Sequence, residues 1–335
     1  MSIALRSFAK INLGLKIGAP RADGFHELRT VYQTIALHDV VRVEVGAGEG
    51  IEIRCSNPQV PCDSTNTCYK IAERVLKKTG RRSKVIIEIE KRLLVQGGLG
   101  AASSNAVATM LGLERGLSME LTQQDRLGIA AEVGSDLPLF LIGGTVLGVD
   151  RGQEVYALQD LQETALVVVT PPVGVSTPKA FAQWDALVGK ESASSALTAP
   201  NAAGTIKERN QADSAWLSER LLSRVVPAEG PASGVPAVGG DRAETPLLDP
   251  VRTGIENDFE RVVFPEYPEL REVKRVLVRE GARYASLSGS GSTLYGLFEA
   301  ASDAEAAAER MTAAGHVAAA TRTVTRAEFW EQLLA

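Results

Sequence analysis

Gln96-Gly-Gly-Leu-Gly100-Ala-Ala-Ser-Ser-Asn105 joins three glycines to a run of small residues. The chemistry open to such a stretch is anion binding. Glycine backbones can turn so that successive N–H groups point at one centre, and small neighbours leave room for a ligand. From Ser103 to Glu114, Val107, Met110, Leu111 and Glu114 recur at helical spacing, so the end of the loop meets the positive end of a helix. A polyphosphate suits that environment. The same residues would also make a tight turn, so the loop gains meaning only from its company. Two common nucleotide patterns do not fit. A Walker A loop ends in Gly-Lys-Ser/Thr, whereas Gly100 is followed by Ala-Ala-Ser-Ser. A dinucleotide fingerprint needs a parallel βαβ unit, and here helix follows helix. Ser288-Gly-Ser-Gly-Ser292 is a second glycine turn, which by itself reads as a hairpin turn.

The elements around these loops follow from periodicity. Ile11, Leu13, Leu15 and Ile17 alternate with Asn12, Gly14 and Lys16, which predicts a half-buried strand, and Gly18 to Phe25 reads as a turn. Val41, Val43 and Val45, then Ile51 and Ile53, mark two more strands. A helix is expected over Thr67 to Lys78, stopped by Gly80, and a strand over Lys84 to Glu90. Thr122 and Asp125 form a capping box for a helix ending at Gly134. The pattern restarts with a buried strand at Ala165 to Thr170, and Thr177-Pro178 supplies an N-cap and first-turn signal. Pro268 to Gly281 reads as a helix, Arg283 to Ser288 and Thr293 to Phe298 as strands. Ser302-x-x-Glu305 reads as a capping box, and Val317 to Val324 as a closing strand. The order βα then αββαβ is close to a ferredoxin-like sandwich carrying an insertion. Residues 186–250 are rich in Ala, Ser, Gly and Pro, with a helical island near Trp216 to Arg224 and an expectation of disorder over 227–242.

At 335 residues, with 44% apolar and 23% charged residues, the chain is long enough for two globular cores. A formal charge of −5 without a long basic run gives no general attraction to nucleic acid or anionic lipid, so neither is expected as a partner. No leader-like start and no span of the length a bilayer needs are visible, and a cytoplasmic protein is expected. Cys55, Cys62 and Cys68 have neither paired spacing nor nearby histidines, and read as reduced thiols rather than a metal site.

The glycine loop resembles the phosphate loop of the kinase superfamily that includes galactokinase, homoserine kinase, mevalonate kinase and phosphomevalonate kinase, Pro-x-Gly-x-Gly-Leu-Gly-Ser-Ser-Ser. Ser7-Phe-Ala-Lys10-Ile-Asn12-Leu-Gly resembles that superfamily's first motif, and Leu287-Ser-Gly-Ser-Gly-Ser-Thr-Leu-Tyr-Gly its third. Arg21-Ala-Asp-Gly-Phe-His26-Glu-Leu, Gly134-Ser-Asp136-Leu-Pro-Leu-Phe and Asn257-Asp258 are similar to the branch whose acceptor is a cytidine-diphosphate-linked methylerythritol. The resemblance covers most of the chain outside residues 186–250. It implies an α+β, two-domain small-molecule kinase fold. Residues 1–158 would form an α+β domain like that of ribosomal protein S5, and 159–335 a ferredoxin-like α/β sandwich with an insertion at about 186–250.

The resemblance also implies roles. Asp136 matches the catalytic aspartate, able to take a proton from the acceptor hydroxyl, whereas local sequence by itself favours a helix N-cap. Lys10 matches the lysine that works with it, positioned to offset charge on the phosphoryl oxygens. The backbone of Leu94, Val95, Gln96, Gly97, Gly98, Leu99, Gly100, Ala101, Ala102, Ser103 and Ser104 would wrap the phosphates of ATP, with Asn66 near the adenine. Mg2+ would be held largely by ATP oxygens, with no protein metal ligand assigned. Asn12, Phe25, His26, Tyr32, Thr177 and Phe181 match the acceptor pocket, the rings serving as stacking faces for cytosine. The implied activity is transfer of the γ-phosphoryl of ATP to the 2-hydroxyl of the acceptor, by a monomer or weak homodimer. Another kinase of the superfamily, or a catalytically silent nucleotide-binding module, are the alternatives. Three departures stand out: Leu94 replaces a usual proline, Ala101 and Ala102 replace usual glycines, and Phe25 replaces a usual tyrosine. The alanines are tolerable only if neither needs a positive φ.

Overall fold

In the computed structural model, residues 2–93, 95, 97–198 and 256–335 are described, by backbone alone over 190–198. Leu94 and Gln96, the helical island at 216–224 and the segment 227–242 lie outside the described residues.

The first sheet is built on two long antiparallel strands, β1 (Ser2–Pro20) and β2 (His26–Gly46). Both outrun the alternation that announces them. From Ser7 to Leu15 every residue of β1 is buried, because helices cover one face and a second sheet covers the other, so no polar stripe marks its length. The predicted turn shrinks to residues 21–25 because the β1–β2 pairing continues to Pro20 opposite His26. On its other side β2 pairs with β5 (Thr145–Val149) through its first half and with β4 (Lys84–Glu90) through its second. β3 (Gly50–Arg54) joins β4 in parallel, and β6 (Glu154–Ala157) joins β5. β5 and β6 went unread in the sequence, being short and flanked by Gly143, Gly144 and Gly152.

Three helices cover this sheet: α1 (Thr67–Thr79), α2 (Ala101–Gly116) and α3 (Gln123–Val133). Gly80 stops α1 in a left-handed conformation, and Thr122 caps α3 by accepting from Asp125 N, as the capping signals predict. α2 lies close on the strands because Gly112 and Gly116 have no side chain; a Cβ at either would run into Val43 or Val45.

The second sheet contains β7 (Ala165–Val169), β8 (Tyr284–Leu287), β9 (Leu294–Leu297) and β10 (Ala318–Arg322) in the order β10-β7-β9-β8, all antiparallel. This is the ferredoxin-like order. Its helices are α4 (Thr177–Thr198), α5 (Glu260–Glu266), α6 (Pro268–Arg279) and α7 (Ala301–Ala313). The Ser302 capping box does not form. α7 starts two residues earlier, with Ala300 at the N-cap position and no side-chain cap. Nor does Thr177 act as N-cap, since it is already the first residue of α4.

Three apolar clusters hold these layers. One lies under α1 to α3, one between the second sheet and its helices, and one between the two sheets, where Ile11, Val31 and Ile35 meet Leu166, Val168 and Tyr295. The chain does not close with a strand. α8 (Arg326–Glu331) follows β10, and Val324, Phe329 and Leu333 return to the first core, so the unit expected over 159–335 gives up its last residues. Arg6 N donates to Leu333 O at 2.7 Å there. Among the described residues no helix is long and apolar enough to cross a membrane.

Candidate active site

Strand alternation puts Lys10 and Asn12 on one face of β1, and the register sets Tyr32 of β2 opposite Asn12. Lys10 is buried, and its Nζ donates to Asn12 Oδ1 at 2.7 Å, lies 3.3 Å from Asp136 Oδ2 and sits 5.4 Å above the Tyr32 ring. Tyr32 OH donates to Asp136 Oδ1 at 3.1 Å. Burial, then the adjoining Asp136 carboxylate, pushes the Tyr32 phenol well above its ordinary pKa, so it stays a donor. Its ring lies across β5 only because Gly148 has no Cβ to meet it. Asp136 is in the turn between α3 and a short 3-10 helix, Pro138–Leu141, whose N-cap position is Leu137 without a side-chain cap. The capping alternative therefore falls: the carboxylate points to Lys10 and Tyr32. Its side chain is 33% exposed against 3% for Lys10, so it is the member of the group that a ligand can reach.

The glycine loop reaches this group through Lys10, whose backbone N–H donates to Leu99 O at 2.9 Å. Gly98 and Gly100 have φ of 79° and 67°, and Gly100 precedes the first residue of α2. Ala101 and Ala102 are helical, and among the described residues the non-glycine positions with positive φ are Ser118 and Asp150, so the two alanines cost no strain. The first N–H groups of α2 have no partner within the helix and form its positive end. Leu99 is core, whereas Ser103 and Ala102 are open to different degrees and Ser104 is buried. Leu287 to Leu294 is a hairpin connection, and it also locks onto the loop: Ser288 Oγ donates to Gly98 O at 2.9 Å and Thr293 N to Gly97 O at 3.2 Å. A Cβ at Gly98 would collide with the Ser288 carbonyl oxygen. Asn257 Nδ2 braces the hairpin through Leu287 O and Gly289 O, both at 2.8 Å.

Asp39 is the residue here that sequence reasoning missed. Its fully buried carboxylate accepts from Arg92 N and Leu93 N at 2.7 Å each, Lys91 Nζ at 2.7 Å and Asn105 Nδ2 at 3.1 Å. It thereby ties the entrance of the loop to the helix after it. The available signal was an acid leading the apolar run Val40-Val41.

The residues expected at the acceptor lie apart from this group. His26 stacks on Phe181 with centroids 4.8 Å apart, Phe181 meets Phe259 edge-on at 5.0 Å, and His26 Nε2 is 2.7 Å from Asp185 Oδ1 on α4. Phe25 is 51% exposed, with the Arg151 guanidinium 4.9 Å over its ring. Thr177 Oγ1 bonds Ser290 Oγ at 2.7 Å, joining α4 to the hairpin. Tyr32 is not with these rings; the register carries it to Lys10 and Asp136 instead. Asn66 is not a free amide either. It caps α1, accepting from Cys68 N at 2.8 Å and donating to Pro61 O at 2.6 Å, while Thr67 Oγ1 contacts Ala102 O at 2.9 Å. Cys55, Cys62 and Cys68 are free thiols, and burial pushes Cys68 up to about 12.

Residues 66–144 match the family description "GHMP kinases N terminal domain" and residues 246–317 match "GHMP kinases C terminal". A 4-diphosphocytidyl-2-C-methyl-D-erythritol kinase of Acaryochloris marina is 32% identical over 311 residues, 92% of this chain and 91% of that protein. One from Prosthecochloris aestuarii is 33% identical over 316 residues, 93% and 94% of the two chains. A crystal structure of 4-(cytidine 5'-diphospho)-2C-methyl-D-erythritol kinase superposes with a TM-score of 0.67 at 27% identity, covering 96% of this chain and 99% of that one. A mevalonate kinase crystal structure, at 12% identity and a TM-score of 0.61, shares the fold.

Proposed function

We infer that this chain, which belongs to the family of 4-diphosphocytidyl-2-C-methyl-D-erythritol kinases, transfers the γ-phosphoryl group of ATP to the 2-hydroxyl of 4-diphosphocytidyl-2-C-methyl-D-erythritol, giving the 2-phosphate and ADP in non-mevalonate isoprenoid precursor synthesis. The observation that carries the reading is one residue touching both halves of the chemistry. Lys10 holds the glycine loop by its backbone and the exposed Asp136 carboxylate by its ammonium.

The acceptor hydroxyl gives its proton to the Asp136 carboxylate as its oxygen attacks phosphorus in line. Lys10 and the N–H groups opening α2 meet the charge on the phosphoryl oxygens, and they are fixed beforehand. Direct transfer needs no covalent phospho-enzyme. Among the described residues no three acidic, histidine or cysteine side chains cluster as a metal site. A Mg2+ ion would be held largely by the triphosphate oxygens, which suit its octahedral preference, and would supply charge neutralisation beside the glycine loop. His26, Phe181 and Phe25 would hold the pyrimidine by stacking. Val95 and the neighbouring loop residues would serve the nucleotide. A monomer or weak homodimer acting in the cytoplasm completes the reading.

ATP turnover with the cytidylyl acceptor beside homoserine and mevalonate tests it. The expected result is turnover of the first alone, and Asp136→Asn slower by about 10²–10⁴-fold. Turnover of homoserine alone would replace the substrate, and a fully active Asp136→Asn would remove the base.

A further inference from the structure

The Lys10–Asn12 contact depends on which end of the Asn12 amide faces the lysine, and a third residue decides that. The β1–β2 pairing slips between Asn12, which faces Tyr32, and Gly14, which faces Val31, so Leu13 is the extra residue of a bulge. The Gly14 carbonyl then lies 2.8 Å from Thr30 Oγ1, and Thr30 Oγ1 lies 2.7 Å from Asn12 Nδ2. Thr30 and Asn12 are each 1% exposed.

The proton count leaves one solution. A carbonyl oxygen cannot donate, so the single hydroxyl proton of Thr30 goes to Gly14 O. Thr30 can then only accept from Asn12, which turns Nδ2 toward Thr30 and Oδ1 toward Lys10. The Lys10 ammonium, a pure donor, needs that oxygen. With the amide inverted, two donors would face each other in a site where Lys10 is 3% exposed.

We propose that Thr30 is a positioning residue for phosphoryl transfer, fixing the Asn12 amide so that Lys10 stays aimed at Asp136. The inference rests on the reading of Lys10 and Asp136 as the catalytic pair. Thr30→Val keeps the shape and removes the hydroxyl, Thr30→Ser keeps the hydroxyl, and Lys10→Met reports on the underlying reading. In steady-state kinetics on the full chain, Thr30→Val lowers kcat about tenfold or more, with KM for ATP and acceptor within about twofold of wild type. Thr30→Ser recovers kcat to within about threefold. Thr30→Ala serves as a second hydroxyl-free variant, to show the same loss should Thr30→Val not fold. A hydroxyl-free variant with wild-type kcat beside an inactive Lys10→Met overturns the inference alone, as does a Thr30→Ser as slow as Thr30→Val. A fully active Lys10→Met overturns the catalytic reading and this inference with it.

Discussion

The proposed nucleotide side and the proposed acceptor side of the candidate site are made of different parts of the chain. On the nucleotide side, backbone meets backbone. Gly97 and Gly98 carbonyls take bonds from the Ser288–Thr293 hairpin, Leu99 O takes one from Lys10, and the buried Asp39 holds the entrance by main-chain N–H groups. On the acceptor side, side chain meets side chain: His26 on Phe181, Phe181 on Phe259, Arg151 over Phe25, Asp185 on His26. Backbone contacts at van der Waals distance leave no room for change, whereas a stack of rings yields gradually. The first side is therefore the one that tolerates substitution least.

Substitutions test that contrast, beginning with the largest expected effect. Asp39→Ala strips four donors of their acceptor and leaves Lys91 buried without its partner, and is expected to cost about 3 kcal/mol of stability by urea denaturation. A loss no larger than that of a surface carboxylate would deny the nucleotide side its buried anchor. Gly98→Ala combines a positive φ with the Ser288 carbonyl in its path; a drop in kcat/KM for ATP on the order of 10²-fold is expected, with binding of a cytidine nucleotide retained. Wild-type turnover there would erase the contrast. Phe181→Ala should raise KM for the acceptor about tenfold and leave KM for ATP alone, since it removes two ring contacts on one side only. Tyr32→Phe is the mildest, expected to lower kcat about threefold by losing one hydrogen bond. Because burial raises the Tyr32 phenol, its proton is lost only above about pH 10, so any alkaline limb below that pH should be the same in wild type and Tyr32→Phe.

What the sequence made legible follows the same division. Gly97, Gly98 and Gly100 could be read because only glycine serves there, and α1, α3 and β4 because their caps and alternation face water on one side. The full length of β1 was hidden by burial on both faces, which removes alternation. Asn66 and Thr177 look like ligand residues and caps alike in a linear reading, and only packing separates the two uses. The contact of Tyr32 with Asp136 was not legible because it depends on register, which one sequence does not fix. Asp39 was invisible because its partners lie up to 66 positions away.

Among the described residues the chain crosses from one sheet to the other before β7 and after β10, and the crossings are bonded to each other. Thr164 N donates to Thr323 Oγ1 at 2.9 Å, Thr323 N to Thr164 O at 3.0 Å, and Arg326 N to Asp160 Oδ2 at 2.8 Å. Two cross-linked straps, with the cluster of Ile11, Val31, Leu166 and Tyr295 packed between the sheets, fix one sheet against the other. The Ser288–Thr293 hairpin, carried by the second sheet, is thereby held in one alignment against the glycine loop.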